Sequence, residues 1–186
     1  MDYTVHPLTS EHWPALEDLF GRAGASNGCW CMYWRLGPRY HQRPREENKH
    51  DLERLAGSGQ PPGLLAFDGD QAVGWCELAP RADLAWLARN RFLTAGDDLP
   101  VWSLPCFFIR RPYRGRGVMG ALIEAAVPAA AAGGAPAVEA YPVDTAVPGH
   151  TRNLFPGVAA TFAGHGFQVV ARHKPDRPVM RRRTST

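Results

Sequence analysis

Between Val101 and Ala132 the chain changes character twice within a few residues. An apolar run, Val101-Trp102-Ser103-Leu104-Pro105-Cys106-Phe107-Phe108-Ile109, gives way to Arg110-Arg111-Pro112-Tyr113-Arg114-Gly115-Arg116-Gly117. An Ala-rich stretch comes next, with Val118, Ala121, Leu122, Ala125 and Ala126 on one side. The first segment reads as a strand and the last as a helix, so the glycines lie where one must turn into the other. A glycine turn at a helix N-terminus aims several backbone N–H groups at one point, where the helix dipole also favours negative charge. Gly115 and Gly117 let the backbone approach a ligand, and Arg111, Arg114 and Arg116 can add charge-assisted hydrogen bonds, so the segment suits a pyrophosphate. A tight turn bearing solvated arginines is the plain alternative. The Gly-Lys-Ser/Thr ending of a Walker loop is absent, and the turn is not read as a dinucleotide fingerprint. Pro105 removes a ladder donor and predicts a bulge or break in its strand.

The charge is split along the chain. Residues 1–106 carry 10 basic and 14 acidic side chains and 107–186 carry 11 and 4, so the net +3 is −4 against +7. The basic half is suited to a polyanion, either a nucleic acid or a phosphorylated cofactor. Nineteen of the 21 basic residues are arginine, which suits bidentate phosphate contacts but also follows from GC-rich coding. These arginines cluster at a turn and at the Arg181-Arg182-Arg183 terminus without an evident recognition helix, so no nucleic-acid partner is expected.

The Val118–Ala132 stretch, interrupted by Gly120, Glu124 and Pro128, is shorter than the ~20 apolar residues of a membrane helix, so no membrane partner is expected. The N-terminus lacks a basic and apolar leader, so a cytoplasmic chain is expected. Four cysteines in 186 residues are too few for a disulfide scaffold and are read as thiols. That length suits one domain over residues 1–186.

Other elements follow from periodicity. Tyr3–Leu8 reads as a strand; a helix then carries Leu16, Leu19, Phe20 and Ala23 on one face, with Thr9 or Ser10 as its cap. Pro44–Ala56 reads as a surface helix, and Gly63–Pro80 as a hairpin turning at Asp68-Gly69-Asp70. After a partly helical connector over 81–98 and the central unit come a strand at Ala137–Tyr141, a short helix at Gly157–Gly164 and a hairpin around Pro175-Asp176.

Arg114-x-x-Gly117 after a strand ending Cys106-Phe107-Phe108-Ile109, with Leu122-Ile123 on the next helix, resembles the acetyl-CoA motif of the GNAT superfamily of N-acetyltransferases. Phe162-x-x-x-Gly166-Phe167 resembles that family's later Tyr-x-x-x-Gly-Phe element. The resemblance covers nearly the whole chain. It implies an α/β fold with a mixed, mostly antiparallel sheet, a splayed pair of strands and helices on both faces. It also implies acetyl-CoA as cosubstrate, with Phe107, Phe108 and Ile109 along the pantetheine arm. The pyrophosphate would lie on Arg114, Gly115, Arg116, Gly117, Val118, Met119 and Gly120. Met119 stands where the family has glycine or alanine, Phe155 where it often has asparagine, and Phe162 where it has the tyrosine that often protonates the leaving thiolate. Phe162 has no proton to give, so Cys106, Tyr141 or solvent would have to do so.

An amine attacks a thioester only when neutral, so the site needs a proton acceptor. The motif strand offers only Ser103 near the position where relatives often carry a carboxylate. Glu77 is the best acid: Val73, Trp75 and Glu77 alternate onto one face, and an apolar face raises a carboxyl pKa. A structural ion pair with Arg81 or another arginine is the alternative. Asp144 is the second choice of carboxylate. In Cys29-Trp30-Cys31-Met32-Tyr33-Trp34, the rings of Trp30, Tyr33 and Trp34 would wall an acceptor pocket or pack a core. Cys-x-Cys is not the usual zinc spacing, so no metal is expected. The chain thus reads as a transferase moving acetyl to the primary amine of a small molecule. A non-catalytic acyl-CoA binding or sensing module is the second reading, and the oligomeric state, a homodimer included, is left open.

Overall fold

The computed structural model describes residues 2–185. In chain order the elements are β1 (Thr4–Pro7), α1 (Trp13–Phe20), α2 (Tyr33–Leu36), α3 (Arg45–Ala56), β2 (Gly63–Asp68), β3 (Gln71–Pro80) and α4 (Ala85–Ala88). Then come β4 (Trp102–Ile109), α5 (Val118–Ala132), β5 (Ala137–Ala140), α6 (Ala159–Gly164), β6 (Gln168–Lys174) and β7 (Arg177–Arg183). The strands form one sheet in the order β1-β2-β3-β4-β5-β7-β6. Only β4 and β5 run parallel, the rest antiparallel. This is the mixed, mostly antiparallel sheet implied by the resemblance.

Each face of the sheet is covered. On one side α5 and Phe162 of α6 pack over β2–β5 through Val118, Leu122, Ile123 and Ala126. Full burial of a side chain such as Leu122 contributes about 1.5–3 kcal/mol. On the other, Leu16 and Phe20 of α1, Leu52 of α3 and Trp30 of the connection after α1 cover Leu65, Phe67 and Trp75. No helix of the described residues is long and apolar enough to cross a membrane.

Two irregularities interrupt the central strands. Glu77 pairs with Cys106 but Ala79 with Ser103, so β4 carries one more residue than β3 across the stretch holding Leu104 and Pro105. That is the bulge the proline predicts. Parallel pairing of β4 with β5 stops at Leu104–Ala140, and beyond it the two strands splay. A second slip, between Ala66 and Phe67 of β2, places an extra residue on β3 opposite them. The slip corrects the expected alternation: Val73 packs with α5, while Trp75 lies on the other face.

The helix cap also differs from expectation. His12 precedes the first turn of α1 without any side-chain cap. The carbonyls of Thr9 and Ser10 take the N–H groups of His12 and Trp13 at 3.1 and 3.4 Å, so a backbone turn satisfies what a hydroxyl would otherwise cap.

Candidate active site

The turn after β4 has the form its sequence predicts. Gly115 and Gly117 have φ of +74° and +85°, values that a residue with a Cβ adopts only under strain. Gly117 precedes α5 directly. The first intrahelical bond is from Ala121 N–H to the Gly117 carbonyl, so the N–H groups of Val118, Met119 and Gly120 have no partner within the helix. Around them Arg114 is tied by its Nε to the Ile109 carbonyl at 3.2 Å, and Arg116 lies over the Tyr113 ring. Arg110 is engaged elsewhere, ion-paired with Asp18 at 2.5 Å. Val118 itself packs into the core, the Met119 side chain covers Gly157, and Gly120 packs on His165. Their backbones, not their side chains, face the turn's task.

Gly115, Gly117 and Gly120 do have the G-x-G-x-x-G spacing. The acid in β5, Glu139, is 1% exposed and held by Arg181 and Tyr141, so it is closed to a ribose.

Beyond the splay one edge of β4 is bare of strand. Arg110 N–H bonds the Val73 carbonyl on the β3 side at 2.9 Å, whereas Phe107 N–H bonds the Phe155 carbonyl on the opposite side at 2.8 Å. By strand alternation the Phe107 carbonyl and the Ile109 N–H share that second edge. An extended amide-bearing arm such as pantetheine therefore finds a donor and an acceptor there, with Phe155 occupying the position next to them. The residues fit coenzyme A: a free-donor turn for its pyrophosphate and an open strand edge for its arm.

On the opposite face of β3 and β4 lies a cavity of about 320 Å³. Its wall brings together Glu77, Cys106, Phe107, Phe108, Tyr33 and Trp34, all anticipated from sequence, with Cys29, Tyr40, Asn153 and Phe155. Glu77 is 1% exposed. Arg35 Nε is 3.5 Å from its Oε1, and Oε2 has no hydrogen-bond partner. Burial raises the Glu77 carboxyl to about 7 against the downward pull of Arg35. A carboxylate so placed exchanges a proton near neutral pH. Glu77 is at once the cavity's acid and half of an ion pair, although the arginine is Arg35 and not Arg81. The thiols crowd nearby: Trp75 Nε1–H donates to Cys31 Sγ at 2.9 Å, and Cys31 and Cys106 sulfurs are 4.0 Å apart. Burial, then Cys31, pushes the Cys29 thiol up to about 11.

Other anticipated residues lie elsewhere. Trp30 is core, against Trp13 and Phe20 at 5.9 and 5.5 Å between ring centres. Ser103 and Tyr141 are buried, 2.8 Å apart through their hydroxyls, in a separate network with Arg81 and Glu139. Asp144 is paired with Arg172 at 3.0 Å. Phe162 is fully buried between Phe107 and Phe167. Among the described residues no three His, Cys, Asp or Glu side chains are grouped to hold a metal ion. Arg35, Tyr40 and Asn153 were not legible as site residues, because nothing local distinguishes them from surface positions.

The acetyltransferase (GNAT) family model matches residues 27–152. The chain belongs to the GNAT acetyltransferase family. The family match supports an acyltransferase, and the motif turn and splayed strands lie within the matched span. Among solved structures, the chain is similar to a PaiA N-acetyltransferase from Thermoplasma acidophilum in complex with coenzyme A, at 14% identity and TM-score 0.53 over 98% of this chain and 99% of that one. A GCN5-related N-acetyltransferase from Kribbella flavida is 22% identical with TM-score 0.57, covering 97% of each chain. A Drosophila melanogaster polyamine N-acetyltransferase, which forms N-acetylagmatine, is 12% identical with TM-score 0.57, covering 97% and 98%. These likenesses show the GNAT fold. No curated protein matches the chain.

Proposed function

We propose that this GNAT protein moves the acetyl group of acetyl-CoA to the primary amine of a small molecule by direct attack, with Glu77 as proton acceptor. The observation that carries the reading is the buried Glu77 carboxylate, one oxygen unpartnered, in a cavity walled by β4 where β4 leaves β5. Acetyl-CoA supplies the acetyl group as a thioester. The turn from Arg114 to Gly120 binds its pyrophosphate, and the Phe107–Ile109 edge orients its arm. Glu77 takes a proton from the ammonium form of the acceptor, directly or through water; the neutral amine then forms the C–N bond as the C–S bond breaks, and the nitrogen sheds its second proton to water. Cys106 lies in the same wall. Its thiol is drawn down by Cys31 but pushed further up by burial and by Glu77, so it is protonated at neutral pH and can return a proton to the departing thiolate. A cavity of about 320 Å³ matches the size of a small-molecule site, which favours a small acceptor over a protein surface. The same reading keeps the chain in the cytoplasm, where its four free cysteines stay thiols.

The non-catalytic alternative is favoured by one feature, Phe155 occupying the Phe107 N–H. Acetyl-CoA consumption across amine classes, with wild type and Glu77→Gln, separates the two. Turnover lost roughly 10²–10⁴-fold in the variant with CoA affinity retained supports the enzyme. Tight CoA binding without turnover on any amine supports the sensor.

A further inference from the structure

Tyr33, Trp34, Asn153 and Phe155 of the Glu77 cavity also line a second recess, of about 240 Å³. Its chemistry is opposite. Among the described residues its lining holds two cations, Lys174 and Arg177, and no carboxylate. Three other arginines of the same hairpin are neutralised: Arg172 by Asp144, Arg181 by Glu139 and Asp97, Arg182 by Glu124. Arg177 instead gives one N–H to the Tyr141 carbonyl at 3.1 Å, and its buried Nε has no partner. Asp176 beside it is occupied, accepting from Thr151 N–H at 3.1 Å. Trp34, 4% exposed, contributes a second buried donor, Nε1, also without a partner. Two buried donors left unpaired are costly unless a ligand satisfies them.

Resting on the proposed acetyl transfer, we infer that the acceptor is an amino acid: its amine meets Glu77, and its carboxylate enters the recess to accept from Arg177 and Trp34. Burial pushes the Arg177 guanidinium below the ordinary arginine range, only partly offset by Asp176 and Tyr33, and an arriving carboxylate would reverse that. Lys174, poised over the Phe92 ring, adds a second positive charge at the edge.

The test compares acetylation by the full chain of α- and ω-amino acids of increasing length, their neutral carboxamides, and diamines of matched length. The expected result is kcat/KM at least about tenfold higher for an amino acid than for its carboxamide, the size of a lost charge-assisted hydrogen bond. Arg177→Gln should shrink that ratio several-fold. Trp34→Phe and Lys174→Gln should each shrink it below the wild-type value, even where Arg177→Gln folds poorly. Carboxamides or diamines that match or exceed every amino acid overturn the inference and leave acetyl transfer standing. If no amine is acetylated, the transfer reading falls, and melting temperature with the same compounds decides the recess: a carboxylate-dependent rise absent in Lys174→Gln supports it, and equal shifts with amino acids and carboxamides overturn it.

Discussion

Glu77 and Glu139 are both 1% exposed, yet their surroundings differ in almost every respect. Glu139 receives Arg181 through two nitrogens, at 3.0 and 2.6 Å, and the Tyr141 hydroxyl at 3.0 Å. Arg181 is itself clamped by Asp97, and Ser103 and Arg81 complete the Tyr141 oxygen. Glu77 has one arginine at 3.5 Å and an oxygen facing no donor. A carboxylate with every lone pair matched to a donor ties strands together. An unsatisfied one in a cavity keeps its proton negotiable. The difference lies in the partners that the fold delivers, not in burial.

Substitution at the two acids should therefore produce opposite phenotypes. The largest effect expected is the loss of turnover in Glu77→Gln, roughly 10²–10⁴-fold, accompanied by a rise in stability relative to wild type at pH 8. The sign follows from the raised carboxyl: stability from Glu77 is fully present below its unfolded pKa of 4.5 and is lost as pH rises through about 7. Thermal melts at pH 5 and pH 8 check this, and a variant that melts lower at pH 8 breaks the comparison. Glu139→Gln should instead lose about 3–5 kcal/mol by stranding Arg181 and Tyr141. Its melting temperature should fall by roughly 10 °C, with kcat per folded molecule near wild type.

Two smaller effects sharpen the contrast. Tyr141→Phe should cost about 1–3 kcal/mol of stability and leave kcat/KM within about twofold; a large loss of kcat would restore Tyr141 as the acid for the leaving thiolate. In the pH profile of kcat/KM, activity should rise with pH through an apparent pKa of about 7. Arg35→Gln removes the cation that holds this value down, so the acidic limb should move to higher pH. A limb that stays in place would assign it to another group.

Most of the fold was legible. The hairpin at Gly63–Pro80, the helix ending at Ala56 and the Pro105 bulge all appear where local pattern placed them, because each is set by neighbours in sequence. The Val73 slip was not legible, since a strand's alternation holds only while its ladder stays in register. In the site, Glu77, Cys106, Tyr33 and Trp34 could be singled out as chemistry-bearing or aromatic residues in apolar settings. Trp30 carried the same signal and is core; a ring's identity does not say which side of a wall it takes.

What could be read from residue order alone is the strand, glycine turn and helix that form the proposed Arg114–Gly120 anion cradle. It lies within one short segment, and positive φ, free N–H groups and the helix dipole are local properties. Tertiary structure decided everything that depends on who meets whom across the sheet. It assigned Arg35 rather than Arg81 to Glu77, gave Tyr141 to Glu139, placed Phe155 on the β4 edge and left Arg177 in a recess whose described lining holds no carboxylate. Desolvation and hydrogen-bond satisfaction, which decide whether a buried charge is reactive, are sums over partners distant in sequence. They come into existence only when the chain has folded.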